Sequence, residues 1–177
     1  MKSKLPLKST AENLRRNGIK RKKLPKLPCS DKWKPPPPNV LKINTDGAYV
    51  ENSHKGGWRY VLRNDKGEVL AAGAGSMQHI SEAIHAESLA LLQAINMANE
   101  LGCNRLIFET DAFVLKQAIM SEAYDNSRHG ALFKEIKTLL HTYFDDASVK
   151  WCNRSCNSVA HNVASFGAGL ELGSQQH

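Results

Sequence analysis

Long apolar runs are missing from this chain. No stretch approaches the ~20 consecutive apolar residues that a membrane-spanning helix requires, and the first residues lack the apolar core of a secretory signal. An intracellular protein without a membrane partner is expected. Cysteine is sparse as well. Cys29, Cys103, Cys152 and Cys156 make no disulfide framework, and the close pair Cys152 and Cys156 has no second Cys/His pair at zinc-finger spacing, so reduced structural thiols are expected. Acidic residues are nearly absent from the first 34 positions, where 12 Lys/Arg face only Glu12 and Asp31. The later positions carry the other 12 Lys/Arg against 15 Asp/Glu, so the formal +7 of the chain is a +10 leader joined to a −3 remainder. A detached basic arm fits polyanion binding, because each neutralised phosphate releases counterions. A solvated solubility or targeting segment accounts for the same charges.

What is present suits one domain plus a tail: 177 residues, 41% of them hydrophobic. The leader has no sustained periodicity and contains "KRKK" at 20–23, which reads as disorder. "WKPPPPNV" (33–40) follows, and its four prolines impose a stiff polyproline II spacer. Beyond it, alternation predicts strands at 41–46, 57–64 and 68–77, the last two joined through the tight turn "NDKG" as a hairpin. A long helix is predicted from about Glu82 to Leu101, with Ser81 as N-cap and Gly102 as its stop. "RLIFET" (105–110) reads as a buried strand, 112–122 and 131–144 as helices, 148–154 as a last strand and 158–170 as a last helix. The order β-β-β-α-β-α-α-β-α implies an α/β fold, a mixed sheet with helices on its faces. The expected division is a basic arm and proline linker over 1–38, a folded domain over 39–171 and a short tail over 172–177.

Three carboxylates sit where charge is costly. Asp46, in "NTDGAY", is a turn residue if Asp-Gly makes a hairpin, and the end of one strand face if the alternation of Leu41, Ile43 and Thr45 governs. Glu87 falls on the apolar stripe Ile84, Leu91, Ala94, Ile95, Ala98, Leu101, where it is either desolvated or held at the stripe's edge by the helix dipole. Asp111 directly follows a strand and precedes a helix, a place for an N-cap and equally for a ligand-binding group at a strand's C-terminal end. One arrangement covers all three: neighbouring strands and a helix crossing above them, with the carboxylates gathered around hard divalent cations.

In this order, "KINTDGA", a hairpin containing "GG", "HAESLALLQAI", "FETDA" and "RSCNSVAH" resemble the type 1 ribonuclease H domain, in the divergent plant form derived from non-long-terminal-repeat retrotransposons. The resemblance spans about 33–170. It implies a five-stranded mixed sheet ordered 3-2-1-4-5, with strand 2 antiparallel, and hydrolysis of the RNA strand of RNA–DNA hybrids. It also implies two Mg²⁺ ions roughly 3.5–4 Å apart, with Mn²⁺ as the alternative, clamping the attacking water and the leaving oxygen. Asp46, Glu87 and Asp111 match the family's metal ligands, and Asn44, Gly47 and Ala48 its substrate contacts; at Gly47 a missing side chain admits the scissile strand. The fourth ligand is usually aspartate, and here His161 stands in its place; imidazole can ligate but adds no negative charge. His161 could equally pack beside Val159 and Val163. The short "SCN" link leaves no room for the histidine loop of some relatives, and 112–144 carries no basic, Trp-rich protrusion, so affinity would come partly from the arm.

Two functional expectations result. The first is a metal-dependent endoribonuclease using Asp46, Glu87, Asp111 and His161 as catalytic metal ligands, expected as a monomer with no small-molecule cofactor. The second is a non-catalytic nucleic-acid-binding protein of retrotransposon origin, with affinity supplied by the arm. "KRKK" favours the nucleus, while the acid-poor N-terminus leaves organelle or cytoplasm open.

Overall fold

The computed structural model describes residues 33–157. Residues 1–32 of the basic leader, the expected helix over 158–170 and His161 lie outside them.

Five strands form one mixed sheet in the order β3-β2-β1-β4-β5, the order expected. β1 (Leu41–Val50) pairs antiparallel with β2 (Lys55–Arg63), which pairs antiparallel with β3 (Val69–Met77). On the other side β1 pairs parallel with β4 (Arg105–Thr110), and β4 parallel with β5 (Asp146–Trp151). β1 runs four residues past its expected end at 46, so Asp46–Gly47 makes no hairpin turn; the ladder continues as Asp46↔Arg59, Gly47↔Trp58 and Ala48↔Gly57. β5 begins two residues earlier and ends three earlier than expected, because pairing with Arg105–Thr110 sets its length; residues 154–157 are already helical.

Among the described residues, α1 (Ala83–Glu100), α2 (Phe113–Met120) and α3 (Gly130–Tyr143) pack on this sheet. Along α1, Ala86, Ala90, Ala94 and Ala98 recur every four residues, and all are fully buried. This row of small side chains brings the helix axis close to the sheet, where Leu91 and Ile95 meet Ile43, Leu62 and Phe108 in the main core. Leu101, expected on the buried stripe, is 56% exposed; the helix stops at Glu100, and Gly102 adopts the positive φ of +66° that ends it. Ser81 is not the N-cap either. Glu82 holds that position, and the Ser81 N–H instead donates to His85 Nδ1 at 3.3 Å. Glu82 Oε1 in turn meets His129 Nε2 at 2.6 Å, tying the start of α1 to the turn before α3.

The lead-in is fastened to the sheet. The Trp33 ring carries the Arg63 guanidinium 4.3 Å from its centroid and the Lys42 ammonium at 5.3 Å, and Lys42 Nζ donates to the Lys34 carbonyl at 2.7 Å. Burial pushes the Cys152 thiol up to about 12, and Cys103, Cys152 and Cys156 form no disulfide among the described residues. No helix among those residues is long and apolar enough to cross a membrane.

Candidate metal centre

Each of the three acids is delivered by a different element. Asp46 lies within β1, directly across from Arg59 of β2. Asp111 follows the last residue of β4, and β4 is the parallel neighbour of β1, so both strands bring their acids to the same edge. The alternative role for Asp111, capping α2, is not taken up: Ala112 is the N-cap residue, no side chain caps the helix, and the Ala112 N–H donates to Thr110 Oγ1 at 3.1 Å. Glu87 stands in the second turn of α1. Gly47 explains how it reaches β1, since a Cβ added there would lie 2.5 Å from both the Ala86 carbonyl oxygen and the Glu87 nitrogen. Only glycine lets α1 sit this close, and the Gly47 N–H donates to the Glu87 carboxylate. One carboxylate oxygen from each of Asp46, Glu87 and Asp111 lies within 4.8 Å of those from the other two.

The electrostatics of this cluster are unfavourable without a cation. Burial pushes Glu87 up from its ordinary 4.5 to about 8, and the Asp46 and Asp111 carboxylates push the same way, against the Gly47 N–H and Arg154. Glu87 Oε2 is buried and accepts no hydrogen bond. An orphaned carboxylate oxygen, facing two more carboxylates across less than 5 Å, is the donor chemistry of a hard divalent cation; Asp46, Glu87 and Asp111 are the residues that could hold one.

Two supporting residues were not anticipated. Arg59 Nε donates to Asp46 Oδ2 at 2.8 Å, and its Nη2 donates to the same oxygen. Asn157 Nδ2 donates to the Thr45 carbonyl at 2.8 Å and lies 3.5 Å from Asp111 Oδ1, linking β1 to the Asp111 side chain. A signal existed for both. In "GWRYVLR" the arginines alternate with Trp58, Tyr60 and Leu62, which puts Arg59 on the face opposite those aromatics, and Asn157 belongs to the "RSCN" motif.

The expected substrate contacts separate. Asn44 is fully buried, and its Nδ2 donates to Glu109 Oε2 at 3.0 Å, while Lys42 Nζ holds Glu109 Oε1 at 2.7 Å. Asn44 therefore fastens β1 to β4 from a fully buried position. Gly47 is half-buried beneath α1, and Ala48 is exposed. A cavity of about 540 Å³ lined by Ile119, Leu140, Phe144 and Val149 contains none of the three acids.

A five-stranded sheet ordered 3-2-1-4-5 with strand 2 antiparallel defines a ribonuclease H-like fold. The fold is shared with ribonuclease H1 of the halophilic archaeon Halobacterium salinarum, at a TM-score of 0.58 and 22% identity over 70% of this chain and 92% of that one. The N-terminal ribonuclease H domain of a Mycobacterium tuberculosis protein superposes at 0.61 with 20% identity, over 75% and 98%. LC11 ribonuclease H1, solved in complex with an RNA/DNA hybrid, does so at 0.61 with 17% identity, over 69% and 91%. No curated protein matches the sequence. The sequence model of the reverse transcriptase-like family matches residues 44–167, and the chain belongs to that family.

Proposed function

We propose that this chain is a metal-dependent nuclease domain that hydrolyses the RNA strand of RNA–DNA hybrids. The observation that carries this reading is the convergence of Asp46, Glu87 and Asp111, with ligand atoms within 4.8 Å of one another, from segments 41 and 24 residues apart in sequence. The structural relative solved with an RNA/DNA hybrid supports the substrate class. Divalent cations held there, Mg²⁺ or Mn²⁺, supply Lewis-acid stabilisation of the phosphodiester and activation of water. The chain's own contribution is positioning. β1 and β4 fix two acids on a rigid parallel pair, Gly47 seats α1 so that Glu87 closes the third side, and Asn157 restrains the Asp111 carboxylate. His161 is the proposed fourth ligand. The +10 leader supplies phosphate contacts and hence a salt-dependent share of the affinity.

The test is cleavage of a labelled hybrid in Mg²⁺ and in Mn²⁺. Asp46→Asn abolishes cleavage and His161→Asp raises the Mg²⁺ rate; undiminished cleavage by Asp46→Asn refutes the assignment. One observation favours a second reading, a non-catalytic nucleic-acid-binding domain: the Asp46 carboxylate is already paired with Arg59. Wild-type protein that binds hybrid but leaves it uncut in both metals would establish that reading.

A further inference from the structure

Arg59 holds an oxygen that the candidate metal centre needs. It is the cross-strand partner of Asp46 in the β1–β2 ladder, so backbone register, rather than a chance side-chain conformation, brings the two together. Its guanidinium donates twice to one oxygen, Oδ2, through Nε at 2.8 Å and through Nη2. The two side chains are 22% and 21% exposed, so water screens this pair less than it does a surface pair. The next residue across the sheet is Ala74, whose methyl group is too short to draw the guanidinium aside. Arginine cannot relieve a clash with an incoming cation by losing its proton. A divalent ion at Asp46 therefore either displaces Arg59 from Oδ2 or sits beside a fixed positive charge.

We propose that Arg59 is a resident cation of this centre, competing with divalent metal for Asp46 and thereby setting how tightly the site binds metal. The inference rests on reading Asp46, Glu87 and Asp111 as metal ligands. It assigns Arg59 a positioning role, exerted through Asp46. A hydrogen-bonded charge pair of this kind contributes a factor of about ten to a hundred, and a second cation forfeits a comparable share when it must displace the first. Removing the charge should tighten divalent binding about ten- to a hundredfold.

Isothermal titration of the full 177-residue chain with Mn²⁺ and with Mg²⁺ tests this, using wild type, Arg59→Gln, Arg59→Met, Arg59→Lys and Asp46→Asn, each checked by urea unfolding. The expected result is a Kd lowered about ten- to a hundredfold in Arg59→Gln and Arg59→Met, a Kd within about threefold of wild type in Arg59→Lys, and loss of binding in Asp46→Asn. Wild-type affinity in Arg59→Gln and Arg59→Met, alongside loss in Asp46→Asn, overturns the role of Arg59 and leaves the metal centre standing. Tightening in Arg59→Lys equal to that in Arg59→Gln also overturns it, since charge would not be the cause. Failure of both neutral variants to fold even with Mn²⁺ present overturns it as well, because a cation that metal can replace is not required for folding. Identical titrations for all five proteins overturn both the role of Arg59 and the metal-centre reading.

Discussion

Glu87→Gln isolates the electrostatic strain of the centre. The glutamate is shifted from 4.5 to about 8 in the folded chain, so the folded state keeps a proton that the unfolded state has released. The folded state binds more protons across that window, and stability without metal falls as pH rises from about 4.5 to about 8. One pKa unit is worth about 1.36 kcal/mol, so the full shift corresponds to about 5 kcal/mol above pH 8 and about 3 kcal/mol at pH 7. Water reaching the half-buried side chain reduces this, and about 1–3 kcal/mol at pH 7 is the expected effect. Gln keeps the shape and never ionises. Urea unfolding of wild type and Glu87→Gln in EDTA, at intervals from pH 4 to pH 8.5, should give nearly equal stabilities at pH 4 and an advantage for Glu87→Gln that grows with pH. Saturating Mn²⁺ should reverse the order: a ligand at a hundredfold over its Kd stabilises by about 2.7 kcal/mol, and the variant lacks one of the three proposed carboxylate ligands. A stability difference that stays constant over the whole pH range refutes the reasoning, because it would show that Glu87 ionises in the folded chain as easily as in the unfolded one.

Two further outcomes follow from the same geometry. Gly47→Ala forces a methyl group against the backbone of Ala86 and Glu87 at 2.5 Å; α1 must retreat, at a cost of about 1–3 kcal/mol in urea unfolding and with weaker Mn²⁺ binding, and an unchanged unfolding midpoint would show that the helix is not seated on Gly47. Deleting residues 1–32, which carry 11 Lys/Arg against Glu12 and Asp31 and leave Trp33 and Lys34 on the sheet, should flatten the dependence of log K on log salt for a hybrid by about 0.7–0.9 for every phosphate the arm had neutralised, whereas an unchanged slope would make the arm a bystander.

Where the sequence misleads, a local rule is overridden by a long-range one. Asp46–Gly47 has the strongest short-range turn signal, yet pairing with Arg59 and Trp58 carries β1 straight through it, because a ladder partner outweighs a dipeptide preference. Asp111 stands where a cap belongs, but the helix starts one residue later, with Ala112 at the N-cap and no side chain capping it. That Asn44 would bond Glu109 on β4 had no local signal either, since strand adjacency cannot be read from spacing. Ser81 does not cap: its hydroxyl and its N–H both meet His85 Nδ1, four residues on, and the N-cap falls on Glu82.

Sequence alone determined the inventory: strand and helix types, a basic leader set apart by prolines, and three acids at costly positions, all of which depend on neighbours only a few residues away. Tertiary structure decided what those acids face. That Glu87 meets Asp46 across a glycine, and that Arg59 already occupies one of Asp46's oxygens, depends on helix-to-sheet distance and strand register. Those quantities are set by packing between segments far apart in the chain, and no local pattern encodes them.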